Sequence, residues 1–178
     1  MKKVFTVLFL AAAFFAHAQK AYNGKGDKKF QVAANIQSGG TGIHASADFG
    51  LGENISYGFS ATYLLAADDQ VEIKRDGFGF PYAASEEPDF TDKFDAKFRF
   101  NANLGNVIGL PDAMDVYPGL NLGLRNFGTH LGFRYFFTDG FGVFSEAGIP
   151  ITKYGGSAHG VEQYNNQFVF NIGASFNF

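Results

Sequence analysis

The side chains best suited to chemistry in this chain are spaced two apart. Asp95, Lys97 and Arg99 follow one another at i, i+2 and i+4, which on an extended backbone puts a carboxylate, an ammonium and a guanidinium on one face. Asp48, Arg134 and Glu146 hold equivalent places in other alternating segments. Charges withdrawn from water must pair, because an uncompensated buried charge is costly. These six residues are therefore the predicted members of an interior ion-pair set. A second arrangement is His44 with Ser46, an imidazole and a hydroxyl on one strand face, the start of a nucleophilic constellation that no third acid at fixed spacing completes. Ser157 and His159 lie in a glycine-rich stretch near the end of the chain. Gly-x-Ser-x-Gly, His-Glu-x-x-His and phosphate-binding glycine loops are absent. With no Cys, disulfides, thiol chemistry and thiolate metal sites are excluded. No catalytic residue, metal ligand or cofactor site is predicted, and the chain does not read as an enzyme.

The elements that must carry these charges are strands. Eight segments alternate with period two. They run near Lys28 to Ser38, Thr41 to Gly50, Ile55 to Leu65, Phe94 to Asn103, Asp115 to Arg125, Thr129 to Phe137, Gly140 to Ile151 and Gln167 to Phe178. In each, one face is apolar and nearly free of charge. The other mixes glycine with polar and bulky residues such as Lys29, Gln31, His44, Tyr117, His130 and Phe144. Pro118 and Pro150 fall inside these segments and mark expected bulges or strand ends. The turns are read at Gly39-Gly40, at Gly50 to Asn54, at Asn126-Phe127-Gly128 and at Thr138-Asp139-Gly140, with about ten residues around Leu110-Pro111-Asp112.

The ends decide which face is outside. Residues 1 to 18 hold Lys2 and Lys3, an apolar run from Val4 to Phe15, and Ala16-His17-Ala18, the order of a secretory signal peptide with cleavage after Ala18. Residues 19 to 178 are then one exported domain. Loss of Lys2 and Lys3 takes the formal charge from −3 to −5, which disfavours a nucleic-acid partner. The composition of 23 Phe and 23 Gly without Trp fits aromatic strands punctuated by tight turns. An apolar face this rich in Phe needs either a second covering layer, which no helical segment supplies, or lipid. Even strand number, strands of about ten residues and compact turns at the end holding both termini are the marks of an outer-membrane barrel. The predicted fold is an all-β, eight-stranded antiparallel up-and-down transmembrane β-barrel in the outer membrane of a Gram-negative cell.

The A-x-A leader, the eight segments and the terminal Phe176-Asn177-Phe178 resemble the small outer-membrane barrels of the OmpA-transmembrane-domain and OmpX type. The stretches from Val116 to Leu124 and from Tyr164 to Phe176 also resemble an uncharacterised family of such barrels from Bacteroidota. That resemblance implies a fold and a location and brings no activity. It further implies that Phe176 and Phe178 serve assembly, read by the barrel-assembly machinery, and simple interface anchoring is the alternative. The His-x-Ser spacing of His44 and Ser46 resembles that of barrel-type lipid A deacylases, a two-residue match only.

Eight strands enclose a space that side chains can fill. The functional expectation is a plugged barrel with a structural or surface-interaction role. A small pore for a minor solute is the first alternative and a lipid A-modifying esterase the second. The loop from Ala66 to Asp92 is long and acidic, with Asp68, Asp69, Glu86 and Glu87 among its carboxylates and Phe78, Phe80 and Tyr82 among its aromatics. Its Asp76-Gly77 step suits a hairpin continuing the third and fourth strands. The expected partners are outer-membrane lipid and lipopolysaccharide, the latter through divalent cations, and an extracellular partner at this loop. An ordinary solvated loop whose aromatics pack on each other is the plain alternative.

Overall fold

In the computed structural model, which describes residues 20–154 and 160–178, the period-two segments close into a barrel. Its strands are β1 (Lys28–Gln37), β2 (Gly40–Gly50), β3 (Ile55–Ala67), β6 (Phe94–Ala102), β7 (Met114–Gly123), β8 (Asn126–Phe136), β9 (Phe141–Lys153) and β10 (Val169–Asn177). Each pairs antiparallel with its neighbour in the chain, and β1 closes on β10 from Lys29↔Asn177 to Gln37↔Val169. The hairpin β4 (Gln70–Arg75) and β5 (Pro81–Glu86) stands as its own two-stranded sheet. A one-turn helix, α1 (Phe90–Lys93), leads into β6. The eight predicted barrel strands are thus found, with no end moved by more than three residues.

The molecule is inverted relative to a water-soluble barrel. Phe30, Val32, Ile43, Phe59, Phe98, Leu122, Leu131 and Ile172 are exposed on the outside. Lys29, Asp48, Asp95, Arg99, Asp115, Arg134 and Glu146 are buried inside. Period two explains this directly, since adjacent residues point to opposite faces of a closed sheet.

Three local expectations are corrected. The turn placed at Asn126-Phe127-Gly128 lies earlier, at Leu124 and Arg125: buried Asn126 begins β8 because its side chain bonds inside the barrel. Pro118 is neither a bulge nor an end of β7, since it pairs in register with Leu131. It falls where the pairing of β7 with β6 stops at Asn101↔Gly119, so its missing N–H faces no ladder partner there. Pro150, in contrast, does adjoin an irregularity, because Phe127 faces Thr152 while Gly128 faces Pro150 and Ile151 is left over. The hairpin, finally, does not continue the ladder of β3 and β6. Asp68 and Asp69 interrupt it on one side, and α1 does so on the other, where Asp89 caps the helix by accepting from the Asp92 N–H at 3.0 Å.

Candidate functional site: the filled lumen and its two closures

Inward-facing residues of three strands that are not neighbours meet at the centre of the lumen. Arg99 on β6 reaches Glu146 on β9 at 2.5 Å (Nη2 to Oε2) and Asp48 on β2 at 3.2 Å (Nε to Oδ1). All three are almost wholly buried. The same Nη2 lies 3.2 Å from His130 Nε2, which is 2.8 Å from Asn101 Oδ1. A guanidinium has no acceptor, so Nε2 turns its lone pair to Arg99 or its proton to Asn101, never both.

Towards the end that holds the chain termini, Arg134 forms a second centre. Its Nε and Nη2 each lie 3.1 Å from Asp115 Oδ2, and Nη2 donates to Asn103 at 2.5 Å. The Tyr117 ring sits between the two guanidinium groups, 4.1 Å from Arg134 and 6.0 Å from Arg99, so a quadrupole separates two like charges. Glycine makes room for these bulky groups. A Cβ on Gly132 would lie 2.0 Å from the Tyr117 ring, and one on Gly119 would lie 2.3 Å from the His130 ring. In both cases the partner is the residue directly across the β7–β8 ladder.

Among the predicted ion-pair residues, Asp48, Arg99 and Glu146 form one cluster, and Asp95 pairs with Lys97 two residues along the same strand at 3.4 Å. Arg134 stands apart from both, and its partner Asp115 was not in the predicted set. The parity Asp115, Tyr117, Gly119 was the available signal, obscured because Asp115 lies at the strand's start. Also missed was Asp27, whose carboxylate holds Lys29 at 2.8 Å.

The seam between first and last strands carries its own inward rungs. Lys29 Nζ donates to Asn177 at 2.7 Å, Gln31 Nε2 to Ser175 at 3.4 Å and Asn35 Nδ2 to Asn171 at 2.7 Å. At the missing rung, Ala33 faces Gly173, and a Cβ on that glycine would meet the Val32 carbonyl at 2.0 Å.

Both ends of the lumen are closed by short segments. At the terminus end the chain before β1 folds inward: Ala21 N donates to Asp112 O at 2.6 Å and the Tyr22 hydroxyl to Ile55 O at 2.6 Å. Burial, then the Asp27 carboxylate, push the Tyr22 phenol up to about 12. At the other end a 3-10 turn, Gly160–Gln163, seats Val161 and Tyr164 on Leu64. The Tyr164 hydroxyl donates to Asp68 O at 2.5 Å and accepts from Gln70 at 2.6 Å. Asn165 follows with φ 58°. Its backbone N–H donates to Gln37, its carbonyl accepts from Asn126, and its side-chain amide reaches the carbonyls of Asp92 and Lys93. Beneath this closure lies a polar cavity of about 30 Å³, lined by Asn35, His44, Thr62, Lys97 and Glu146 among others, room for about two waters.

His44 and Ser46 do share an inward face, but each is otherwise engaged. His44 Nδ1 is 2.9 Å from the Thr62 hydroxyl, and Ser46 Oγ donates to Gln31 at 3.0 Å. Among the described residues no carboxylate hydrogen-bonds the His44 imidazole. Ser157 and His159 lie outside the described residues, as do the leader and its cleavage site. Phe176 packs on Phe141 with ring centroids 5.7 Å apart, while the Phe178 N–H donates to Lys28 O and its ring is exposed. The hairpin aromatics Phe78, Phe80 and Tyr82 are exposed, and among the described residues no ring contact joins them, unlike the self-packed loop of the plain alternative. Phe90 instead stacks on Phe94 and packs at a tilt against Tyr63.

The topology and the packed polar interior define a closed, all-β, eight-stranded antiparallel barrel. The chain belongs to a family of unknown function, DUF6646, whose model matches residues 12–178. Among solved structures it is similar to the N-terminal β-barrel domain of Pseudomonas aeruginosa OprF, at 11% identity and a TM-score of 0.50, covering 88% of this chain and 100% of that one. At that identity the likeness concerns the fold alone. No curated protein matches the sequence.

Proposed function

We propose that the protein is an exported outer-membrane barrel with a filled lumen, serving a structural or surface-interaction role. The observation that carries this is the inversion of the barrel: apolar side chains outside, buried ion pairs inside. In water such an exterior would leave a continuous apolar belt uncovered, and a bilayer covers it. Aromatic pairs gather towards the two rims of that belt, as the interfaces of a membrane favour. Phe49 with Tyr57 and Tyr135, Phe137, Phe141 with Phe176 lie near the terminus end; Tyr63, Phe90 and Phe94 lie near the other.

Heat modifiability of the protein in purified outer membranes tests this reading. A compact species in unheated samples that shifts on boiling is expected. Recovery in the soluble periplasmic fraction, or a band indifferent to boiling, would sink it.

The small-pore reading draws on the polar cavity behind the Asn165 closure. Planar-bilayer recording tests it, with stable unitary conductance as the favourable result. Phe176 and Phe178 are proposed to act in assembly, through contacts with the barrel-assembly machinery and the membrane interface.

A further inference from the structure

The charges inside the barrel do not balance. Among the described residues, Asp27, Asp48, Asp95, Asp115 and Glu146 are buried carboxylates, and the cations that answer them are Lys29, Lys97, Arg99 and Arg134. Asp27, Asp95 and Asp115 each have one cation, whereas Asp48 and Glu146 share the Arg99 guanidinium. Moving Lys97 from Asp95 to Glu146 would only relocate the excess, because five negative groups meet four positive ones. One negative charge is left over, and a buried charge without compensation is costly. A proton answers it poorly. On His130 it would add positive charge beside Arg99, whose Nη2 is 3.2 Å from Nε2. On Asp48 or Glu146 it would weaken the charge-assisted bonding to Arg99. On His44 it would place an N–H at Nε2, which has no hydrogen-bond partner.

The leftover charge and the leftover ring nitrogen border one space. Glu146 and His44 both line the polar cavity of about 30 Å³ beneath Asn165. His44 is 5% exposed, and when its Nδ1 donates to Thr62 at 2.9 Å, its Nε2 presents an unanswered lone pair. Ser60 and Asn121 add oxygen acceptors to the wall. A space of this size suits a guest no larger than water. Hard metal cations prefer oxygen ligands throughout, and among the described residues the wall offers a softer metal one imidazole and one carboxylate. An ammonium ion carries one positive charge and four N–H donors, which together match a carboxylate, a ring nitrogen and neutral oxygens. Lys97 also lines the wall, but Asp95 holds its ammonium at 3.4 Å. We propose that this cavity is a binding site for ammonium, bonded between Glu146 and His44 and retained by the Asn165 closure. The site needs the closed, filled lumen and not the surface-interaction role.

The test uses full-length protein in zwitterionic micelles at neutral pH, once its heat-modifiable mobility shows a closed barrel. The midpoint of thermal unfolding is read in ammonium, potassium and tetramethylammonium chloride at equal ionic strength. Potassium is close to ammonium in size but donates no hydrogen bond, and tetramethylammonium is too large for the cavity. A saturable rise in ammonium alone is expected, because a guest held only by the folded chain stabilises it. Glu146→Gln keeps an acceptor for Arg99 without the charge, and His44→Leu removes the ring nitrogen. Each should need about tenfold more ammonium, or more, for the same rise. Should Glu146→Gln not fold, His44→Leu carries the comparison. Nitrogen-15 spectra of labelled histidine give a second readout: Nε2 of His44 should bear no proton without ammonium, and its resonance should move when ammonium is added. Equal midpoints in the three salts, a rise that His44→Leu retains in full, or a proton on Nε2 in the ammonium-free parent overturns the proposal.

Discussion

Arg99 and Glu146 meet at 2.5 Å across the lumen, from β6 and β9, strands that share no ladder. Such a contact ties opposite walls of the barrel, where backbone pairing ties only neighbours. Removing one member leaves the other charged, buried and short of a partner, at a cost of about 3 kcal/mol or more. Glu146→Ala should therefore lower the midpoint of urea unfolding in vesicles well beyond a surface substitution. Glu146→Ala made in an Arg99→Met background should cost much less than in the parent, because the stranded charge is gone. Equal costs in the two backgrounds would show that the pair is not coupled.

Gly132 is expected to be intolerant for a reason confined to one neighbour. An added Cβ would sit 2.0 Å from the Tyr117 ring, which is itself held between Arg99 and Arg134. Gly132→Ala should destabilise by about 1–3 kcal/mol, and Tyr117→Ala in the same chain should recover part of that loss. Additive losses in the double variant would point to backbone strain instead.

Asn165 closes the far mouth with φ 58° and four partners. Glycine adopts that backbone freely but supplies no amide, and valine suits neither requirement. Asn165→Val should destabilise more than Asn165→Gly. If the small-pore reading holds, Asn165→Gly should raise bilayer conductance, because it removes the amide that spans to Asp92 and Lys93 without straining the chain.

Alkaline pH should release the other closure late. The Tyr22 phenol ordinarily titrates near 10.0 and is pushed up to about 12 here. A folded-state value above the unfolded one means that the neutral phenol favours the fold. Its contribution is complete below pH 10.0 and is lost as pH rises through about 12. The ultraviolet titration of the parent minus that of Tyr22→Phe should show one phenol with a midpoint near 12, and a midpoint at 10.0 would contradict a half-buried, hydrogen-bonded phenol.

Phe178 offers a separation of assembly from stability. Its ring is 83% exposed, and its one backbone bond to Lys28 does not need an aromatic side chain. Phe178→Ala should leave urea unfolding within about 0.5 kcal/mol of the parent while reducing the folded fraction recovered from outer membranes. A parallel fall in both measurements would assign Phe178 a packing role.

Much of the fold was legible because period two is a purely local signal. Phe94 to Asn103 displays it fully, and both faces fell where expected. Asn126 was misread because an Asn-x-Gly run suits a turn, and only distant Asn165 and Asn166 make it a strand residue. The lumen residues were legible by type, but their partners were not. Which carboxylate Arg99 meets depends on strand tilt and on the register accumulated round the barrel, and neither shows in alternation. Asp115 and Asp27 escaped because they stand at strand edges, where inward and outward lose their meaning on sequence alone.

The inward rungs of the β1–β10 seam make closure self-checking. A barrel joins its two end strands last in space, and backbone bonds alone would accept a slip of two residues as readily as the native match. Here such a slip sets Gln31 against Gly173 and Asn171 against Ala33, trading amide and hydroxyl partners for empty rungs. The seam thereby proofreads its own register, and a chain that shuts wrongly is left with buried amides seeking partners.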